Sequence, residues 1–380
     1  MSKIQQYLVD QLEIRRKDGL LRSLQHVDHF IDFCSNDYLG LAKNQELNQL
    51  ITKDFENWLA QNNGQIPING ATGSRLISGN NSLVENFEIA CAQIHHAEAA
   101  LLFGSGFEAN LGLLSSISQA DHVVFCDQLL HASIIDGIRL GKGKKVIFKH
   151  NDWEVLSTEL AKYPHQTKWV VVESIYSMDG DHAPLQKYIE LKQLYDFELI
   201  VDEAHSGGVH GFKGAGLVQE LGLIDQVFAR VITFGKAWGN AGAVVLGSQA
   251  LRQYLINFAR SFIYSTGPTP AHICALLTTL HFIQNQDELR EKLKKNITFF
   301  QEHSSHPNWG KSQSAIQTFI VPGNQEVRRI AQVAQEKGFG LKPIVYPTVP
   351  KGEERIRITL SALTQQQDML DLIQLLESNI

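Results

Sequence analysis

From Ala99 onward, short apolar runs alternate with longer amphipathic stretches. The runs are Ala99–Phe103, His122–Cys126, Lys145–Phe148, Trp169–Val172, Glu198–Val201, Val227–Phe234 and Ala243–Leu246. They are largely continuous in Val, Ile, Leu and Phe and lack the in-out alternation of a strand with one wet face. Such runs predict strands buried on both faces of a sheet. Between them, helical periodicity predicts helices at 106–118, 131–140 and 184–196. Strands separated by helices predict a mostly parallel α/β domain with its ligand at the carboxyl ends of the strands.

The flanks have a different rhythm. Ile4, Leu8 and Leu12 predict a helix over 3–17; Leu50, Ile51, Phe55 and Leu59 predict one over 48–60; Leu83, Phe87, Cys91 and Ile94 predict one over 82–95. Beyond Pro268 and Pro270 a long helix is predicted at 271–303. Then follow a strand (Ile316–Val321), a helix (326–337), strands at Leu341–Val345 and Arg355–Leu360, and a terminal helix (365–378). Mixed elements of this kind suit a smaller α+β domain. The expected division is an N-terminal helical segment (1–59), a large α/β domain (60–255) and a C-terminal α+β domain with its connecting helix (256–380).

Composition narrows the class. The chain has 380 residues, 43% of them hydrophobic, enough for two domains that need no disulfide staples. Lys and Arg total 34 against 40 Asp and Glu, a net charge of −6, which argues against nucleic-acid or anionic-membrane binding. Met1 to Asp18 contain no apolar core of a signal peptide, and no apolar run is long enough to span a bilayer. Cys34, Cys91, Cys126 and Cys274 lack metal-binding spacing. A cytoplasmic protein with free thiols and no metal is expected.

Three constellations fall at strand ends. Gly104-Ser105-Gly106-Phe107-Glu108-Ala109 follows one strand and opens a helix. With Asp127 at the end of the next strand it matches a dinucleotide fingerprint, and alone it would suggest an NAD-dependent oxidoreductase. The physical content is broader, because a glycine-rich turn into a helix N-terminus binds any phosphate. Asp202-Glu203-Ala204-His205 follows the apolar strand Leu199–Val201, so Asp202 stands where ligands bind. A carboxylate there can pair with a ring nitrogen and keep it protonated. Thr233-Phe234-Gly235-Lys236-Ala237-Trp238-Gly239 places glycines around one lysine, a strand–helix–strand unit after Asp202. A lysine amine in such a crevice can form a Schiff base with an aldehyde. Phosphate cradle, ring-nitrogen acid and Schiff-base lysine together are the set that pyridoxal phosphate requires. The oxidoreductase reading leaves Lys236, Asp202 and His205 unexplained. His131 opens the helix after the Asp127 strand and could lie over a planar ring.

These residues belong to a longer series of motifs. It begins with Ser35-Asn36-Asp37-Tyr38-Leu39-Gly40 and Gly73-Ser74-Arg75-Leu76-Ile77-Ser78-Gly79, and continues through Ser105–Asn110, Asp127…His131-Ala132-Ser133 and Ser177-Met178-Asp179-Gly180-Asp181. Asp202–His205, Thr233–Lys236, Tyr264-Ser265-Thr266, Pro347-Thr348-Val349-Pro350 and Arg355-Ile356-Arg357 complete it. With this series the chain resembles, over about residues 15–362, the α-oxoamine synthases of the fold type I pyridoxal-phosphate enzymes.

The resemblance implies a central, mostly parallel sheet flanked by helices and a smaller α+β C-terminal domain. It implies an acyltransferase that works as a homodimer with its active site at the subunit interface, where the Gly73–Gly79 loop and Ser265-Thr266 serve the neighbour. Residue by residue, Lys236 would carry the cofactor and Asp202 would pair with the pyridine nitrogen. His131 would stack on the ring and contact substrate. His205 and Ser177 would bond near the phenolic oxygen, and Glu173 would lie near the ring substituents. Thr233 and the Gly106-Phe107 backbone would bind the phosphate. Arg22, Asn36, Thr348 and Arg357 would contact substrate, Arg357 through the amino-acid carboxylate. The nearest branch condenses L-alanine with a pimeloyl thioester, on coenzyme A or acyl carrier protein, in biotin biosynthesis. The alternative branch joins glycine to acetyl-CoA. Three departures from the family pattern stand out: Ser206-Gly207 after His205, Ala241 in the segment after the lysine, and Val345-Tyr346 before Pro347 where the biotin branch often carries arginine.

Overall fold

A computed structural model describes residues 1–24, 26 and 29–380. The chain divides into two units, Asn36–Ser177 with Asp181–Lys292, and Met1–Ser35 with Met178–Gly180 and Leu293–Ile380.

The larger unit is organised by a seven-stranded sheet. Its strands lie in the order Ala99–Phe103, Ala243–Gly247, Ala229–Thr233, Glu198–Asp202, Thr167–Glu173, His122–Asp127 and Lys144–Phe148. Ala243–Gly247 alone runs against its two neighbours, and the remaining pairs are parallel. Consecutive residues Val170, Val171 and Val172, and Leu199, Ile200 and Val201, are all buried. Both faces of these strands are therefore covered, which is why their sequences are unbroken apolar runs. The register pairs Glu173 with Asp202 and Asp202 with Val231. Neighbouring strands thus end level, and their last residues share one edge of the sheet.

Helices Gly106–Ile117, Ala132–Leu140 and Leu185–Tyr195 fall where the periodicity puts them. Ser105 caps the first, accepting the Glu108 N–H at 3.2 Å. The single helix expected over 271–303 is two, Pro270–Ile283 and Asp287–His303. No glycine or proline marks the break. The Arg290 guanidinium instead donates to the carbonyls of Ile283 (2.9 Å) and Gln284 (3.2 Å), ending the first helix from outside its own backbone ladder.

The smaller unit holds an antiparallel sheet in the order Lys342–Ile344, Arg355–Thr359, Ile316–Ile320. Its helices Asn324–Glu336 and Gln366–Glu377 each bury an apolar stripe, Val327, Ile330, Ala331 and Ala334 on one, Met369, Leu372, Ile373 and Leu376 on the other. Helix Lys3–Lys17 buries none of its residues. Among the described residues no helix is long and apolar enough to cross a membrane.

One buried ion cluster braces the approach to the sheet edge. Glu88, 2% exposed, pairs with Arg75 and Arg252 and accepts the Leu102 backbone N–H at 2.8 Å. Glu88→Ala leaves two guanidinium groups without their counter-ion. Removing one partner of a buried pair costs about 3–5 kcal/mol. A clear fall in the urea midpoint is expected, and an unchanged midpoint would show that the cluster is not a brace.

Candidate active site

The carboxyl ends of the parallel strands open into a cavity of about 350 Å³. Its wall is made mostly by residues at or just beyond those strand ends: Gly104–Phe107 and Asn110, His131 and Ser133, Glu173, Asp202, Ala204 and His205, Thr233, Gly235 and Lys236, and Asn240–Gly242, with Asn36 from the N-terminal side. That volume suits a small cofactor or substrate.

Lys236 sits on a turn fixed by its own neighbours. Phe234 and Trp238, two residues to either side, are buried with ring centroids 4.5 Å apart. The turn closes by backbone bonds from Gly239 N–H to the Lys236 carbonyl (2.8 Å) and from Asn240 N–H to the Phe234 carbonyl (2.8 Å). Gly239 has φ +61°, and a side chain there would strike the Leu41–Ala42 backbone. Both the left-handed conformation and the close approach require glycine. Lys236 Nζ lies 2.8 Å from His205 Nε2, and His205 Nδ1 lies 2.5 Å from the Tyr38 hydroxyl, which donates to Asn36 Oδ1 at 3.2 Å. An ammonium only donates, so His205 presents Nε2 as acceptor and Nδ1–H to Tyr38 when Lys236 is charged.

Asp202 is 5% exposed. Its Oδ2 accepts from Asn110 Nδ2 at 2.7 Å and its Oδ1 from the Ala204 N–H at 2.8 Å. Asn110 is held in turn by Ser133 Oγ at 3.1 Å. Glu173, beside Asp202 on the next strand, accepts the His131 backbone N–H at 2.5 Å. Burial first, and the Asp202 charge second, push the Glu173 carboxyl above the usual range, against the pull of Lys236 and the backbone N–H groups of His131 and Ser177. Two carboxylates this close do not both ionise easily, and Glu173 is the one disposed to hold a proton. Desolvation lowers the His131 pKa, Asp202 opposes it and Lys236 adds to it.

The turn into helix Gly106–Ile117 is equally specific. A Cβ on Gly106 would come within 2.5 Å of Thr233 Cγ2, so only glycine lets the helix N-terminus approach that strand end. The Gly106 and Phe107 N–H groups open helix Gly106–Ile117 beside the cavity, where the helix dipole favours an anion. Asp127 takes no part in it. It is wholly buried, and its oxygens accept from Leu129 N–H, Asn151 N–H and His150, which rules it out as a ribose acid.

Asn36, Gly106, Phe107, His131, Glu173, Asp202, His205, Thr233 and Lys236 thus share one cavity. Ser177 lies behind its wall, with its backbone N–H on Glu173. Arg22, Thr348 and Arg357 belong to the smaller unit, where Arg357 donates to Thr359 Oγ1 at 2.9 Å. The roles of Asn110, Ser133 and Tyr38 were not legible as roles in the sequence, although all three stand inside its motifs. They become visible only once residues far apart in the chain meet.

A level edge of parallel strands, a lysine on a glycine turn, a buried carboxylate and a helix N-terminus define a fold type I pyridoxal-phosphate enzyme. A family model for class I and II aminotransferases matches residues 28–376. The 8-amino-7-oxononanoate synthase of Chromobacterium violaceum is 38% identical over 348 residues, 90% of this chain and 88% of that protein. The solved 8-amino-7-oxononanoate synthase of Francisella tularensis superposes with a TM-score of 0.77 at 28% identity, covering 92% of this chain and 98% of that one. A serine palmitoyltransferase solved with pyridoxal phosphate has a TM-score of 0.87 at 22% identity, covering 100% and 98%, a likeness of fold. The chain belongs to the α-oxoamine synthase family of fold type I pyridoxal-phosphate enzymes and is an acyltransferase.

Gly106→Ala tests the cradle. Overpacking by one methyl costs about 1–3 kcal/mol. The clash is expected to lower the melting temperature of the cofactor-free protein and, in the fraction that stays folded, to weaken pyridoxal phosphate binding by roughly tenfold or more. Unchanged affinity in a titration would remove the Gly106 N-terminus from the phosphate site.

Proposed function

We propose that this enzyme is an 8-amino-7-oxononanoate synthase. It condenses L-alanine with a pimeloyl thioester, carried on coenzyme A or acyl carrier protein, and releases carbon dioxide, the free thiol and 8-amino-7-oxononanoate for biotin biosynthesis. The observation that carries the substrate assignment is the identity of 38% over nine-tenths of the chain to a synthase of that name. The cofactor assignment rests on the convergence of Lys236, Asp202 and the Gly106 N-terminus on one cavity.

Pyridoxal phosphate supplies an electron-withdrawing ring that stabilises negative charge at the amino-acid Cα. The chain does the rest. Lys236 would hold the cofactor through its amine and, as a free amine, would take the Cα proton. Asp202, fixed by Asn110 and the Ala204 N–H, would accept from the ring nitrogen and keep its proton in place. The Gly106 and Phe107 N–H groups and the Thr233 hydroxyl take the phosphate. His205 and Ser177 serve the phenolic oxygen, and Glu173 the adjoining ring substituents. His131 covers the ring and donates to the acyl oxygen as charge develops. By the family resemblance Arg22, Asn36 and Thr348 contact substrate, and Arg357 clamps the amino-acid carboxylate, which sets the torsion about Cα. The working form is a homodimer with a shared site, in the cytoplasm.

Thiol release by the cofactor-loaded protein tests this reading. L-Alanine with pimeloyl-CoA is expected to give release, and glycine with acetyl-CoA is not. Release with the second pair alone would move the enzyme to the glycine branch and make Val345 a mark of that branch. Lys236→Ala is expected to lower turnover by at least about 1,000-fold. Wild-type turnover in that variant would remove Lys236 from the chemistry.

A further inference from the structure

Behind the cavity wall lies a charged cluster that the chemistry above does not use. Asp127 ends its strand wholly buried. Its Oδ1 accepts from the Leu129 N–H and from His150 Nδ1, each at 2.8 Å, and its Oδ2 from the Asn151 N–H at 2.8 Å. On the other side of the ring, His150 Nε2 lies 2.8 Å from Asp181 Oδ2. An ionised carboxylate only accepts, so both ring nitrogens must donate. A neutral imidazole has one N–H. A carboxylate oxygen 2.8 Å from each ring nitrogen therefore favours the imidazolium form of His150.

The surroundings agree. Burial disfavours the charge, but the bonds to Asp127 and Asp181 outweigh it, and the pKa is pushed up to about 10. Tyr176 meets the ring edge-on at 4.4 Å between centroids. Asn151, at φ +53°, donates to Asp181 Oδ2 at 2.6 Å and to the His182 carbonyl at 3.2 Å. Tyr188 reaches Asn151 Oδ1 at 3.5 Å. Asp127, Asp181, Tyr176, Tyr188 and His182 face this turn, and Lys149 and Asp152, 3.8 Å apart, form an ion pair on the turn itself.

Each carboxylate stands at the base of a segment that reaches the cavity. Four residues beyond Asp127 comes His131, whose N–H is on Glu173. The Asp181 carbonyl accepts the Tyr176 N–H at 3.0 Å, and the next residue, Ser177, also donates its N–H to Glu173. The two segments are joined at one end through Glu173 and at the other through His150.

We propose that His150 is a positioning residue: its imidazolium ties Asp127 to Asp181 and so fixes His131 over the cavity. The proposal rests on the reading of the cavity as the cofactor site with His131 above the ring. His150→Gln removes the charge and leaves two carboxylates facing each other. The His131 segment then loses its fixed geometry, and a displacement of about 1 Å in such a group costs roughly 10- to 100-fold in turnover.

The test is the induced circular dichroism of the bound cofactor in the visible range. The wild-type protein gives the reference band, and His131→Ala the band of an uncovered ring. His150→Gln is expected to move most of the way toward His131→Ala, and the double variant to go no further than His131→Ala alone. A wild-type band in His150→Gln, with a changed band in His131→Ala, overturns the proposal and leaves the cofactor site standing. An added loss in the double variant, equal to that in the single, also overturns it. An unchanged band in His131→Ala, or no band in the wild type, overturns the reading beneath it and the proposal with it. Asp181→Asn keeps an acceptor beside the ring and removes one charge. It is expected to give the same change at smaller size, and it decides the question if His150→Gln does not fold.

A second readout has a definite sign. A histidine whose pKa is raised on folding stabilises most below its unfolded value of about 6.5. The thermal-stability margin of wild type over His150→Gln is therefore full below that pH, declines as pH rises and is gone above about 10. A margin that stays flat across this window would contradict the charged bridge.

Discussion

A carboxylate buried at the end of a central strand is unfavourable unless donors and a cation meet it. Asp202 sets that condition for the whole site. Asn110, one turn into the first helix, meets one oxygen, and the Ala204 N–H meets the other. Neither donor neutralises the charge. In the proposed cofactor site a protonated pyridine ring would do so, in the cavity that Lys236 also lines. Glu173 cannot relieve Asp202, since it sits at the same level of the neighbouring strand and is itself pushed toward its protonated form. Burial first, and Asp202 beside it second, dispose Glu173 to hold a proton.

The sheet makes this arrangement possible. Parallel strands in level register bring Asp127, Glu173, Asp202 and Thr233 to one edge, and the segments leaving that edge supply the rest of the wall apart from Asn36. Rigid strands place the charges, and short turns place the lysine and the histidines. Where a turn must pass close to another backbone, as at Gly239 beside Leu41–Ala42, a glycine stands. Where two turns must keep their distance from the cavity constant, a charged bridge through His150 links their bases. Function and packing are in this sense one problem, because the groups that do chemistry are also those that terminate strands.

Much of this was legible in the amino-acid sequence. Unbroken runs such as Trp169–Val172 can only be strands with two dry faces, and their spacing leaves room for crossover helices. Hence the sheet, its mostly parallel sense and the ligand edge followed from pattern alone. The direction of Ala243–Gly247 did not, because an apolar run carries no sign of its sense. The break between Pro270–Ile283 and Asp287–His303 was hidden because a side chain, Arg290, ends the first helix. Helices Trp153–Leu160 and Gln249–Phe258 lie outside the predicted elements, although their caps, Asp152 and Ser248, are ordinary ones. In the site, Lys236, Asp202 and the Gly106 turn announce themselves by residue type at a strand end. Asn110 and Tyr38 do not, since their meaning lies in contacts with residues 92 and 167 positions away.

In the proposed site Lys236, alone among the lysines, carries pyridoxal phosphate. Borohydride reduction of the cofactor-loaded protein, followed by peptide mass spectrometry, tests it most directly. The account predicts a pyridoxyl group on Lys236 and on no other lysine. A modified lysine elsewhere with Lys236 untouched, or no modified peptide from a protein shown to be loaded, would contradict it.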